Sequence, residues 1–377
     1  MSQAILEAAY AAEPRYLELL ADLVERESPT NDKAACDALA DRLAALMADH
    51  GFAVTRHARA AAGDILEGRR TGGTGPTTLL LCHYDTVWPL GTLAAMPFRR
   101  DGDKVFGPGT VDMKAGIATA LTALTVLDEL GLPLAGDVTL LVTSDEETGS
   151  HESRALIEAL AREHDRVLVL EPGRDDGALK VGRKGVGTFE LRFKGRSAHA
   201  GNNPSDGASA LRELAHMLVY VEDLSDDVAG TTVNVTVATA GFATNVIAEE
   251  ATAYVDVRVL KPSEAERVTQ AVNGYSPRDK RVTLTVTGGL NRPPLELTPA
   301  NEALFDAARG VAVRLGLAVE GAVVGGGSDG NFTSALGVAT LDGLGSVGGG
   351  PHARHEHIRV TGSLERLALV AGLLAAT

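Results

Sequence analysis

Four short apolar runs, far apart in the chain, each deliver a histidine or glutamate at their carboxyl end. Leu79-Leu-Leu-Cys82 leads into His83 and, two residues on, Asp85. Val138-Thr-Leu-Leu-Val-Thr143 leads into Ser144-Asp-Glu-Glu147, and Val167-Leu-Val-Leu170 into Glu171-Pro172. Val338-Ala-Thr-Leu341 is followed by a glycine-rich loop that holds His352. Runs of this kind are strands buried on both faces, as in the parallel sheet of an α/β protein. Ligands bind beyond the carboxyl ends of such strands. Polar groups so scattered in sequence converge only if a parallel sheet lines up their strand ends, so the pattern predicts an α/β fold with its site at that edge. Period two also puts His83 and Asp85 on the same side of an extended chain, close enough for the carboxylate to orient the imidazole. The plainer alternative for that pair is a core histidine beside an Asx turn.

Helical spacing of Tyr16, Leu19, Leu20 and Leu23 predicts a helix within 13–27 that Pro29 ends. Asn31 is the expected N-cap of a second helix with Cys36, Leu39, Leu43, Leu46 and Met47 on its buried face, stopping at Gly51. Phe52–Thr55 and Asp64–Gly68 read as strands. From about 183 to 291 the runs Thr188–Lys194, Thr232–Val237, Ala253–Val259 and Val282–Val286 alternate apolar and polar residues instead, with helices expected near 206–222 and 263–274. Half-buried strands with helices on one face indicate an antiparallel α+β domain. Arg292-Pro-Pro294 reads as the return linker, and Asn301 as the cap of the next helix. A smaller domain, 183–291, is therefore expected to be inserted into a larger one made of 1–182 and 292–377.

The candidate ligands are His83, Asp112, Glu147, Glu171 and His352, with Glu146 beside them. Five nitrogen and oxygen ligands without cysteine suit a pair of Zn²⁺ or similar ions. Asp112 fits a bridging carboxylate. It lies in Gly107-Pro-Gly-Thr-Val-Asp-Met-Lys-Ala-Gly116, ahead of an apolar helix, where helix capping alone would also explain it. Adjacent Glu146 and Glu147 cannot both point at one ion from extended backbone, so one can ligate while the other serves as general base. A solvated acidic loop is the alternative there.

Taken together, His83-x-Asp85, Gly109-x-x-Asp112-x-Lys114-x-Gly116, Asp145-Glu-Glu147, Glu171-Pro172 and the late His352 resemble the dizinc aminoacylase and carboxypeptidase family. Within it the likeness is to bacterial glutamate carboxypeptidases, which release C-terminal glutamate from folates and N-acyl glutamates. The resemblance implies a mostly parallel-sheet catalytic domain with a ferredoxin-like lid and dimerisation domain inserted. It further implies two Zn²⁺ ions per chain (Co²⁺ or Mn²⁺ as substitutes), one on His83 and Glu171, the other on Glu147 and His352, bridged by Asp112. Glu146 would be the base and Asp85 would orient His83. In the insert, Gly195-Arg-Ser-Ala-His199-Ala-Gly201 resembles a lid motif whose histidine reaches the partner subunit's active site. Asn245, Arg258 and Arg292 fall where the family binds substrate carbonyl or carboxylate, and Gly326-Gly327-Ser328 resembles a turn facing the substrate carboxylate. Two departures stand out: Ala248 replaces the proline usual after Asn-x-Ile, and His355 and His357 follow His352. His352 is preferred as the ligand because Glu356 lies four residues on, with His355 as the alternative.

Other readings are weaker. Gly326-Gly-Ser-Asp-Gly330 satisfies the serine-hydrolase elbow formally, and Gly343-Leu-Gly-Ser-Val-Gly348 a dinucleotide fingerprint, but Pro351 and the histidines exclude the helix the second requires. A non-catalytic amino-acid or peptide binder on the same fold would be expected to lack Glu146 or a ligand. An N-acyl-amino-acid deacylase or dipeptidase shares the same site and remains the alternative enzyme. A net charge of −15 and 4% aromatic residues argue against a nucleic-acid partner. Two cysteines, Cys36 and Cys82, form no disulfide framework. With no signal peptide and no uncharged run of membrane-spanning length, a cytoplasmic homodimer acting on a small N-acyl amino acid or peptide, without a membrane partner, is the expectation.

Overall fold

The computed structural model describes residues 2–376 and divides into two compact units. One comprises Met1–Gly182, Leu297–Val323 and Ser328–Thr377; the other Arg183–Glu296 and Val324–Gly327.

The first unit is built on a six-stranded sheet in the order Ala53–His57, Ile65–Arg70, Val138–Thr143, Thr78–His83, Arg166–Val169, Ala339–Leu341. The last four, which are the four apolar runs, lie side by side and parallel. The first two complete one edge antiparallel. Every residue of Thr78–His83 is buried, and its neighbours divide between two cores. Leu80 and Cys82 pack with Leu140, Val142 and Leu168 among residues of the helices Ala115–Glu129 and Val360–Leu374. Leu79 and Leu81 join Leu141, Val167 and Val169 against Ile157, Leu160 and Ala161 of the helix Arg154–Glu163. Successive strand residues point to opposite faces, so a continuous apolar run is what a sheet covered on both sides demands. Each leucine so buried stabilises the fold by about 1.5–3 kcal/mol.

Two glycines bring the chain tight against the strand end that carries Glu171. A Cβ at Gly116 or Gly345 would lie 2.0 or 1.9 Å from the Leu170 carbonyl oxygen. Only glycine permits that approach. The segment Thr110–Glu129 is long and apolar enough to cross a membrane by length and composition, but 89% of that apolar window is buried within the protein. It is a core helix.

The second unit has one antiparallel sheet in the order Thr232–Ala240, Glu250–Val259, Gly185–Lys194, Thr283–Arg292. With helices Ala210–Glu222 and Pro262–Gly274 the chain order is βαββαβ, the ferredoxin-like arrangement. Along Gly185–Lys194, Phe189, Leu191 and Phe193 are buried and alternate with exposed or half-buried residues. They pack on Leu214, Met217 and Val221 of the first helix and Val268 and Val272 of the second.

Two expected caps are corrected. Asp32, not Asn31, caps the helix Lys33–Asp49, accepting a bond from the Ala35 amide at 3.0 Å. Thr298, not Asn301, caps Pro299–Arg314. Asn301 is buried inside that helix. Its Nδ2 donates to Ser334 Oγ at 2.9 Å and its Oδ1 accepts from the Thr340 amide at 2.8 Å, tying the helix to the edge strand. Asparagine suits a cap and a buried cross-link alike, and the Pro at the first helical turn moves the cap forward. Asn301→Ala strands the Thr340 amide and is expected to cost about 1–3 kcal/mol, whereas Thr298→Ala costs about 1 kcal/mol. Urea midpoints of the two variants in the reverse order would restore the capping role to Asn301.

Candidate metal centre

The parallel strands bring their termini together as the sequence pattern requires. His83 ends its strand. Glu171 lies two residues beyond the end of the strand Arg166–Val169, and Glu146 and Glu147 form a short 3₁₀ turn after Val138–Thr143. His352 sits in the loop between Gly348–Gly349 and His357–Arg359, with φ +60°. A left-handed backbone is unusual for a non-glycine residue and is often found where a side chain must be aimed. Asp112 lies ahead of the regular helix Ala115–Glu129 on non-helical backbone, φ −120° and ψ 97°, and the N-cap position of that helix is held by Lys114. The capping explanation for Asp112 therefore falls.

Two groups of donors result, and both include Asp112. His83, Asp112 and Glu171 form one; Asp112, Glu147 and His352 form the other. His83 Nε2 lies 3.3 Å from Asp112 Oδ1 and 3.1 Å from Glu171 Oε1. His352 Nε2 lies 3.3 Å from Asp112 Oδ2 and 3.2 Å from Glu147 Oε2. Each oxygen of Asp112 thus faces a different set. A tetrahedron with metal–ligand bonds of 2.0–2.1 Å has edges of about 3.3 Å, so these spacings fit Zn²⁺. Glu147 Oε1, buried without a hydrogen-bond partner, is an oxygen that a cation would satisfy. His355 is exposed and belongs to neither group.

The charges of the cluster call for cations. Hydrogen bonds to Asp112 and Glu147 push His352 up to about 10. Burial alone would lower the pKa of His83, but Asp112, Asp85 and Glu171 outweigh it and hold it well above the ordinary value. Burial raises Glu147. Burial works the same way on Asp112, yet His352 and His83 pull it well below the usual carboxylate range.

Two further buried carboxylates hold the backbone of this centre. Asp85 accepts the Glu146 and Glu147 amides at 3.3 and 3.2 Å and the Thr30 hydroxyl at 2.8 Å, with His83 Nδ1 3.4 Å away. Glu356 accepts the amides of Gly109, Val111 and Asp112 at 2.9–3.2 Å and the Trp88 indole at 2.8 Å. Burial pushes its pKa up to about 7. Lys114, fully buried, donates to the carbonyls of Leu23 and Arg26 at 3.0 and 2.8 Å. Sequence reasoning gave no role to Thr30, Glu356 or Lys114, although the last two lie inside the quoted motifs.

All the other candidates except Ser328 belong to the second unit. His199 is exposed, and its Nδ1 accepts the Gly201 and Asn202 amides at 3.1 Å each. An accepting Nδ1 puts the proton on Nε2. The neighbouring Ala200 amide donates to the Asn245 carbonyl at 2.9 Å, so the His199 and Asn245 segments pair directly. Arg258 is bound by Asp256 at 2.8–3.1 Å. Arg292 is buried at the end of its strand. The carbonyls of Gly326 and Gly327 accept from Arg183, another residue without a sequence signal. Ser328, in the first unit, donates to Asp342 Oδ2 at 2.6 Å. Its hydroxyl serves a carboxylate rather than a histidine, which removes the serine-hydrolase reading.

A model of Peptidase family M20/M25/M40 matches residues 79–376. The chain is 32% identical to carboxypeptidase G2 of Pseudomonas sp. (strain RS-16) over 98% of its own length and 91% of that protein's. It is 29% identical to the succinyl-diaminopimelate desuccinylase of Thioalkalivibrio sulfidiphilus (strain HL-EbGR7), over 93% and 98% of the two chains. In fold it resembles aminopeptidase PepT from Bacillus cereus ATCC 10987, with TM-score 0.78 and 21% identity over 96% and 98% of the chains.

Metal ligation requires neutral imidazoles, and both histidines hold protons in the ion-free cluster. Metal uptake at neutral pH is expected to release about two protons per chain and to weaken as pH falls. Calorimetric titration of metal-stripped protein in buffers of different ionisation enthalpy measures this. Release near zero would mean that both imidazoles are already neutral before the ions bind.

Proposed function

The chain belongs to peptidase family M20/M25/M40 and is a metal-dependent hydrolase; on that premise we propose that it uses two Zn²⁺ ions to cleave the amide of an N-acyl amino acid or C-terminal peptide bond, releasing glutamate. The observation that carries this is the division of the two Asp112 oxygens between His83 with Glu171 and His352 with Glu147. These five residues would hold the ions. Bound there, the ions would polarise the amide carbonyl and lower the pKa of water from about 15.7 toward 7.

The chain's own groups do the rest. Glu146, in the same turn as Glu147, takes the proton of the attacking water and passes it to the leaving amine. Asp85 fixes that turn through its amides and orients the His83 ring. His199 Nε2–H donates to the developing oxyanion, a contribution of about 3–4 kcal/mol in acyl transfer. Asn245 stands beside it. Arg292 binds the substrate carboxylate, a task for which guanidinium geometry is suited, while Arg258 shares its donors with Asp256. The Gly326-Gly327-Ser328 turn is the other carboxylate-facing element of the proposal. The second unit serves as lid and dimerisation domain, with His199 acting on the site of a second copy.

The relatives named desuccinylases favour a second reading, cleavage of an N-succinyl or other N-acyl group without preference for glutamate.

Glu146→Gln is expected to keep both metals and lower kcat by at least about 10²-fold. Loss of one metal in that variant would exchange the roles of Glu146 and Glu147. Mixed with a His199→Ala chain, it should recover about a quarter of wild-type turnover, since half the dimers are mixed and each has one competent site. No recovery after confirmed subunit exchange puts His199 in its own chain's site or outside catalysis. For substrate choice, kcat/KM for N-acyl-Glu should exceed that for N-acyl-Leu by at least about tenfold, the scale of one charged contact. Equal values, with N-succinyl substrates turned over well, select the second reading.

A further inference from the structure

The turn that carries Glu146 and Glu147 ends on unusual backbone. Gly149 and Ser150 both have positive φ, +102° and +58°. Glycine takes this conformation freely, whereas a serine has a side chain to accommodate. Ser150 is fully buried there. Its amide donates to the Asp145 carbonyl at 2.8 Å and its carbonyl accepts from the Arg154 amide at 2.9 Å, bonds that a glycine would make equally. What the serine adds is a hydroxyl, and that hydroxyl donates to Asp329 Oδ1. A non-glycine residue on left-handed backbone persists only where its surroundings hold it.

Asp329 stands at the N-cap position of the short helix Gly330–Ala335, yet its side chain makes no capping bond there. It is buried, and its other oxygen, Oδ2, accepts from the Thr143 hydroxyl at 3.4 Å, beside the Cys82 carbonyl at 3.3 Å from the same hydroxyl. Thr143 ends the strand before the acidic turn, and Ser150 follows the turn. One carboxylate therefore grips this segment at both ends, while Asp85 holds its middle through the Glu146 and Glu147 amides. The Arg154 guanidinium, four residues past Ser150, lies over the Phe332 ring of the Asp329 helix at 4.6 Å and keeps the two segments together. A single 3₁₀ turn has little internal bonding to fix it, and a misplacement of about 1 Å in a catalytic group can cost about 10²-fold in rate. We propose that Asp329 is a positioning residue for the reaction, setting through Ser150 the turn that presents Glu146; this rests on the reading of Glu146 as the base.

The test compares kcat, KM, metal content and urea midpoint across variants of the metal-replete protein. Asp329→Ala and Ser150→Gly should each keep the wild-type metal content and KM while lowering kcat by at least about tenfold. Both remove the same bond, so the double variant should be no slower than the slower single one. Asp329→Asn keeps an acceptor for Ser150 and should restore most of the lost kcat. Asn301→Ala, which breaks a buried cross-link elsewhere in the same unit, should lower the urea midpoint with kcat unchanged. Wild-type kcat in Asp329→Ala or Ser150→Gly, losses that multiply in the double variant, or an ion lost from either would overturn the proposal. An equal fall of kcat in Asn301→Ala would do the same, by reducing the effect to stability. If Asp329→Ala does not fold, Ser150→Gly decides alone, because glycine accepts that backbone. Glu146→Gln separates the two readings. A fully active Glu146→Gln would sink the base assignment and this proposal with it, whereas a slow Glu146→Gln beside an unimpaired Ser150→Gly would remove Asp329 alone.

Discussion

A single buried carboxylate, Asp85, connects the parts of this protein that have to meet. Through its two oxygens it holds the Glu146 and Glu147 amides and the Thr30 hydroxyl, and it lies beside the His83 ring. A fully buried anion is tolerable only when hydrogen-bond donors surround it, and here the donors are the backbone of the acidic turn itself. Glu356 repeats the device on the other side of the centre, holding three amides of the loop that presents Asp112. Two carboxylates that ligate nothing therefore fix the backbone under two that would. Like-charged groups would otherwise drive these loops apart.

The sheet explains why such an arrangement can exist at all. Strands buried on both faces leave polar groups to their ends, and Gly116 and Gly345 close the carboxyl end around Leu170 and Glu171. The cluster concentrates negative charge beside two imidazoles, and protons fill it when ions do not. An ion that binds only the folded chain adds stability by mass action.

Most of this was legible in the sequence because the signals were long or repeated. The four apolar runs required a parallel sheet, and the alternating runs of 183–291 required an antiparallel one, since each pattern has a single way to bury its apolar side. Single polar residues were not legible in the same way. Asn31 and Asp32 are equally good caps, and only the local backbone chooses between them. Asn301 looked like a cap because a buried asparagine that ties a helix to the strand end has the same one-letter signature. Thr30, Glu356 and Lys114 act on distant segments, and no spacing rule reveals a partner 55 or 244 residues away. Arg183 on the Gly326 and Gly327 carbonyls was hidden for the same reason.

The central claim is that Asp112 is shared between two ions, and metal content measured alongside activity tests it most directly. Wild-type protein should carry two ions per chain when fully active. Glu171→Ala and His352→Ala should each keep about one, and Asp112→Ala should bind neither tightly, because its two oxygens serve both sets. Full activity with a single ion, or an Asp112→Ala chain that still holds two, would contradict the account.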